Sequence, residues 1–123
     1  MPWNDDDPSA LASLFTRDGV YQDLAFQQTW RGHRQIALWH SITHQGITGV
    51  RIKVTNAFRG GDHVAVQWTF SGTMRGAPAS FTVPATTIMR LRHGRIVSDV
   101  DYYNRADLLK QSGLPADWTP PTS

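Results

Sequence analysis

Apolar residues follow two spacings along this chain, and the change from one to the other divides it. Leu11, Leu14 and Phe15 recur at i, i+3 and i+4 behind Asp7 as N-cap and Pro8 at the first helical position. That spacing predicts a short helix ended by Arg17-Asp18-Gly19. Val20 to Asp23 reads as a short extended piece with Tyr21 and Asp23 on one side, followed by a loop from Leu24 to Arg31. Helical spacing returns from Gly32 to His44, where Ile36, Leu38, Trp39 and Ile42 form one arc that can pack on a sheet. His33, His40 and His44 lie along its edge.

From Val50 onward the pattern alternates. Val50, Ile52, Val54 and Phe58 oppose Arg51, Lys53 and Thr55, and Gly60-Gly61-Asp62 turns the chain back. Val64, Val66, Trp68 and Phe70 then oppose Ala65, Gln67, Thr69 and Ser71, and a long strand runs from Ser80 to Arg92. Pro84 inside that strand implies an edge or a bulge. A fourth strand, Gly94 to Asn104, completes an antiparallel meander, and a last helix, Arg105 to Ser112, is capped by Asn104 and stopped by Gly113 and Pro115. Helices followed by a block of strands predict an α+β fold, with one curved antiparallel sheet wrapped on helices.

The strand from Gly94 to Asn104 carries the candidate chemistry. Alternation sets Val97, Asp99, Asp101 and Tyr103 on one side and Ile96, Ser98, Val100 and Tyr102 on the other, with the two carboxylates roughly 7 Å apart at twice the strand rise. Two readings follow. If Ile96, Val100 and Tyr102 face the core, the aspartates stand in water, and pattern alone favours this because ionised groups are seldom buried without partners. In a cavity, mutual repulsion and lost hydration would instead keep a proton on one of them, giving one base and one acid near neutrality.

Composition narrows the choices. The 123 residues fit one domain, and the absence of cysteine excludes disulfides and thiolate metal sites. A net charge of +2 with scattered arginines argues against nucleic acid as a partner. No apolar run approaches the ~20 residues of a membrane span, and the N-terminus is acidic where a secretory signal would be basic, so a soluble, cytoplasmic protein is expected. His40 and His44 have the i, i+4 spacing of zinc ligands, but no glutamate follows the first and no third ligand is evident, so no metal is expected. No phosphate loop, dinucleotide fingerprint or nucleophile elbow is present, so no cofactor is expected either. Trp39, Trp68 and Phe70 read as core residues or as walls of a ligand site, and Tyr21 as a core edge or a donor to a ligand oxygen.

The order Asp7-Pro8-Ser9-Ala10-Leu11, Phe15-Thr16-Arg17-Asp18-Gly19-Val20-Tyr21, Trp30-Arg31-Gly32, Gly94-Arg95-Ile96 and Asp101-Tyr102-Tyr103 resembles the SnoaL-like branch of the nuclear-transport-factor-2-like superfamily, which includes polyketide cyclases, ketosteroid isomerases and limonene epoxide hydrolases. The resemblance covers about residues 3 to 114, which sets a single domain over 1–114; the tail over 115–123, with two adjacent prolines, has little to order it and is expected to be flexible. It implies a cone-shaped fold around an apolar pocket, a family N-terminal helix cut short here, and a homodimer. Asp101 stands where limonene epoxide hydrolases carry an aspartate that does acid/base work, and Asp99 then turns inward with it. Tyr21-Gln22-Asp23 is similar to their water-holding Tyr-x-Asn, whereas Trp68-Thr69-Phe70 stands where they place Arg-x-Asp. The implied activity is cofactor-free acid/base catalysis of isomerase, cyclase or hydrolase type on a small apolar molecule bearing oxygen. Asp101, Asp99, Tyr21 and Asp23 would carry it, and Trp68, Phe70, Trp39, His40 and Tyr103 would hold the substrate. The missing Arg-x-Asp keeps a non-catalytic small-molecule binder as the alternative.

Overall fold

The computed structural model describes residues 7–118 as three helices and a six-stranded mixed sheet. Helix α1, Pro8–Ala12, begins at Asp7, whose carboxylate accepts from the Ser9 N–H at 3.0 Å. It ends sooner than the spacing predicts. Leu14 is exposed, and Phe15, fully buried, opens strand β1, Phe15–Asp23. The segment read as a loop contains strand β2, Gln28–Arg31, which folds back antiparallel on β1. Helix α2, Gly32–Gly46, buries Ile36 and Trp39 as its arc predicts but leaves Leu38 half exposed, since 100° per residue turns Leu38 away from both.

Strands β3 (Ile47–Gly60), β4 (His63–Met74), β5 (Phe81–Arg92) and β6 (Arg95–Tyr103) form the antiparallel meander. The full order is β2-β1-β6-β5-β4-β3, with β1 parallel to β6. Pro84 lies one residue beyond the last β5–β6 pair, Ala85 with Tyr103, so β5 is locally an edge where proline is tolerated. Helix α3, Arg105–Ser112, is capped by Asn104, which accepts from the Asp107 N–H at 2.9 Å, and ends at Gly113 with φ of 75°.

Two register shifts change which side chains face inward. Arg90 and Leu91 on β5 oppose Ser98 and Ile96 on β6, leaving Val97 as an extra residue. Ile96 therefore joins Asp99 and Asp101 among the buried residues instead of pointing away from them. On β3, Val54 pairs with Trp68 and Asn56 with Gln67, so Thr55 is extra and Phe58 turns to the opposite face, where it is exposed. Val54 is exposed as well, so of the alternating β3 set only Ile52 is fully buried.

The most fully buried apolar side chains of the core are Phe15, Ile36, Phe81, Val83, Leu108 and Leu109, each worth about 1.5–3 kcal/mol on burial. The part of the expected tail from 119 on lies outside the described residues, as do residues 1–6. Before it, Trp118 folds back edge-on to Phe26, with ring centroids 5.9 Å apart. Among the described residues no helix is long and apolar enough to cross a membrane, and no group of three potential ligands could hold a metal ion.

Candidate functional site

The parallel pairing of β1 with β6 builds the site. Tyr21 is in register with Asp99 and Asp23 with Asp101, on strands about 4.8 Å apart. These four side chains are all buried on the inner face. Hydrogen bonds run along the diagonals of this square. The Tyr21 hydroxyl donates to Asp101 Oδ2, and one step further the Tyr103 hydroxyl donates to Asp23 Oδ2 at 2.6 Å. The Phe26 N–H donates to Asp23 Oδ1 at 3.0 Å.

A second set of bonds enters from the meander. Thr87, in register with Asp101 on β5, donates its hydroxyl proton to Asp101 Oδ1 at 2.7 Å and accepts from the Trp68 indole N–H at 2.8 Å. Thr87 has one hydroxyl proton, so the incoming indole bond orients it towards the carboxylate. Asp101 is thereby held as an acceptor at both oxygens.

Burial pushes Asp99 well above the usual carboxylate range, and the neighbouring charge of Asp101 pushes it further. Burial also raises Asp101, but hydrogen bonds from Asp99, Tyr21 and Thr87 pull it back. Of the two, Asp99 is the one pushed further towards its protonated form, and its Oδ1 has no hydrogen-bond partner among the described residues. Asp23 is raised to about 6 by burial, against the opposing bonds from Tyr103 and Phe26. Burial first, and then the adjacent carboxylates, keep both tyrosines protonated well past their ordinary range.

Asp23, Asp101, Tyr21 and Tyr103 face a small, partly open cavity of about 60 Å³ lined mostly by apolar side chains. Trp39 and Ile42 of α2, Ile52 of β3, and Trp68, Phe70 and Met74 of β4 form its walls, joined by Phe26, which stands between Tyr103 and Trp118. The rings interlock: Phe70 lies 5.7 Å from Trp68 and 5.5 Å from Tyr103, centroid to centroid.

Seven of the nine residues singled out from the sequence thus meet in one place. Asp99 and His40 do not line the cavity. Asp99 lies beside Tyr21 behind Asp101, while His40 is fully buried, stacked on His44 at 4.2 Å, and acts on the carboxylate of Asp7, the N-cap of α1. Its place at the border of the apolar arc carried it towards α1 instead of the pocket. The Tyr21 hydroxyl donates to Asp101, so towards a water or a substrate hydroxyl it can act only as an acceptor. Thr87 escaped the sequence reading, although alternation from Phe81 through Val83 and Ala85 reaches it on the inner face. Trp118 gave no signal in a segment read as tail.

A family model described as a SnoaL-like domain matches residues 2–99. Among solved structures, a hypothetical protein with a ketosteroid isomerase-like fold from Catenulispora acidiphila DSM 44928, in complex with trimethylamine, is 44% identical. The match covers 97% of this chain and 92% of that one, with a TM-score of 0.94. A protein described as a SnoaL-like polyketide cyclase from Jannaschia sp. CCS1 is 18% identical over 92% and 83% of the two chains, with a TM-score of 0.79. An NTF2-like protein from Burkholderia thailandensis E264 is 21% identical over 93% and 90%, also at 0.79. These last two likenesses show the fold. Comparison with curated proteins finds no match.

Proposed function

The chain belongs to the SnoaL-like domain family of the nuclear-transport-factor-2-like superfamily, and from that premise we propose that its cavity performs cofactor-free acid/base catalysis on a small, mostly apolar molecule with a carbonyl or enol oxygen. The observation that carries the reading is Asp101: a buried carboxylate on the cavity wall, supplied with donors from Tyr21 and Thr87 and backed by a protonated Asp99. In water-poor surroundings such a group is a stronger base than a solvated aspartate.

Asp101 takes a proton from a carbon next to the carbonyl, which leaves an enolate. Where a C=C bond adjoins that carbon, Asp101 returns the proton to the far carbon of the dienolate, giving isomerisation; otherwise the enolate carbon attacks a second carbonyl in the same molecule and Asp101 returns the proton to the alkoxide so formed, giving cyclisation. One proton moves and no redox partner is needed. A positioned base of this kind contributes roughly 10²- to 10⁴-fold. Hydrolysis is the weaker form of the proposal, since Trp68-Thr69-Phe70 occupies the Arg-x-Asp place and Tyr21 is directed at Asp101. The trimethylamine complex of the Catenulispora protein supports a pocket for small molecules.

The test is incubation in D₂O with a panel of small ketones, followed by NMR. Deuterium appearing at carbons next to the carbonyl supports the reading, and its absence across the panel speaks against it. One observation favours a second reading, a non-catalytic binder: the Tyr21 and Tyr103 hydroxyls and the Trp68 N–H all donate into the carboxylate network instead of towards the cavity. Saturable binding without exchange selects it. A homodimer stays part of the proposal. An apolar row on the outer face, Phe58, Ala65, Ile88 and Val100, is in register from β3 to β6 and would be its surface, which light scattering after gel filtration tests.

A further inference from the structure

The cavity has a charge that its own walls do not balance. Asp23 and Asp101 lie side by side on β1 and β6, 5% and 3% exposed, and both line it. Among the described residues, no lysine, arginine or histidine lines it. Arg105 is not among the lining residues but borders them: its guanidinium lies 5.2 Å from the centre of the Phe26 ring, donates to the Trp118 carbonyl and acts on Tyr103, without a hydrogen bond to either carboxylate. The tyrosines that serve the two carboxylates are neutral, so they supply hydrogen bonds without cancelling charge.

We propose that the molecule taken up by this cavity carries a small alkylammonium group, either a protonated amine or a quaternary one, seated between the Asp23 and Asp101 carboxylates and the aromatic walls. The inference rests on the acid/base reading of the same site and gives its substrate a class. Two features of the cavity favour a cation over a neutral polar group. Buried carboxylates attract positive charge far more strongly than they would in water. Trp39, Trp68, Phe70 and Tyr103 bring aromatic rings to the same space, and the faces of such rings are negative and favour alkylammonium groups. Carboxylate or phosphate ligands meet the reverse, namely two like charges and no cationic side chain among the described residues that line the cavity.

The cation also supplies something the site lacks. With Tyr21, Tyr103 and the Trp68 N–H committed to Asp101, Asp23 and Thr87, positive charge next to the forming enolate has to arrive with the substrate. Asp101 then acts as base and Asp23 as anchor for the ammonium group.

Calorimetric titration of the wild-type chain with choline and with its uncharged carbon isostere, 3,3-dimethylbutan-1-ol, separates charge from shape. Choline is expected to bind at least about tenfold more tightly, and Asp23→Asn to reduce that preference by weakening choline more than the isostere. Equal or tighter binding of the isostere overturns the proposal, as does binding of neither probe, and both results need only the wild-type protein. Failure of the acid/base reading shows separately, as absent deuterium exchange on ketones.

Discussion

Tyr21 and Asp101 meet diagonally across the parallel β1–β6 pair, where the Tyr21 hydroxyl donates to Asp101 Oδ2 while Thr87 donates to Oδ1. Both bonds favour the ionised form of a carboxyl that burial would otherwise keep protonated. Tyr21→Phe and Thr87→Val each remove one donor. Each variant should therefore shift the acidic limb of the pH–rate profile upward by about one unit. Trp68→Phe frees the Thr87 hydroxyl to rotate and should produce a smaller shift in the same direction. A profile that stays in place would leave these contacts a packing role only.

The buried aspartates predict an unusual dependence of stability on pH. Asp23 has a folded-state value of about 6 against 3.8 for the ordinary group, so the folded chain holds a proton between those values that the unfolded chain has lost. Its contribution is fully present below about pH 4 and is lost as pH rises through 6, on the order of 3 kcal/mol. Asp99 acts in the same direction over a window that extends higher. Around these two stand Asp101 and Tyr103 from β6, Tyr21 from β1 and, near Tyr103, Arg105 from α3. Urea midpoints should be higher at pH 5 than at pH 8, and Asp99→Asn should narrow the gap, chiefly by raising stability at pH 8. A wild-type chain more stable at pH 8 would contradict this.

Packing beside the cavity can be tested at Gly72. A Cβ there would lie 2.6 Å from Ile47 Cγ2 and 3.3 Å from the Thr48 carbonyl oxygen, and Ile47 lines the cavity. Gly72→Ala should lower unfolding free energy by about 1–3 kcal/mol and weaken ligand binding as Ile47 is pushed aside. Denaturant melts and a binding titration on the same sample check both effects.

Much of the site could be read from period-2 alternation, because Tyr21 with Asp23 and Asp99 with Asp101 and Tyr103 each keep one face of an unbroken strand segment. What alternation cannot supply is the partner strand. The β1–β6 pairing joins residues about 80 apart with no turn between them, so neither the diagonal bonds nor the buried state of the carboxylates had a local signal. From pattern alone water was the better place for Asp99 and Asp101, and only the resemblance turned them inward. Ile96 was misplaced because a single extra residue, Val97, reverses the faces, and Phe58 for the same reason at Thr55. The premature end of α1 has a similar origin: Leu14 and Phe15 have helical spacing, yet burying Phe15 in β1 outweighs completing a second turn.

The central claim is that Asp101 is the base of a proton-transfer site, with Asp99 as its protonated neighbour. Its most direct measurement is the rate of deuterium incorporation into a small ketone that the wild-type chain exchanges, compared with Asp101→Asn and Asp99→Asn under identical conditions. Asp101→Asn should lose about 10²- to 10⁴-fold while keeping its fold by circular dichroism, and Asp99→Asn, whose amide can still donate to Asp101, should lose far less. Exchange by Asp101→Asn at the wild-type rate would contradict the account.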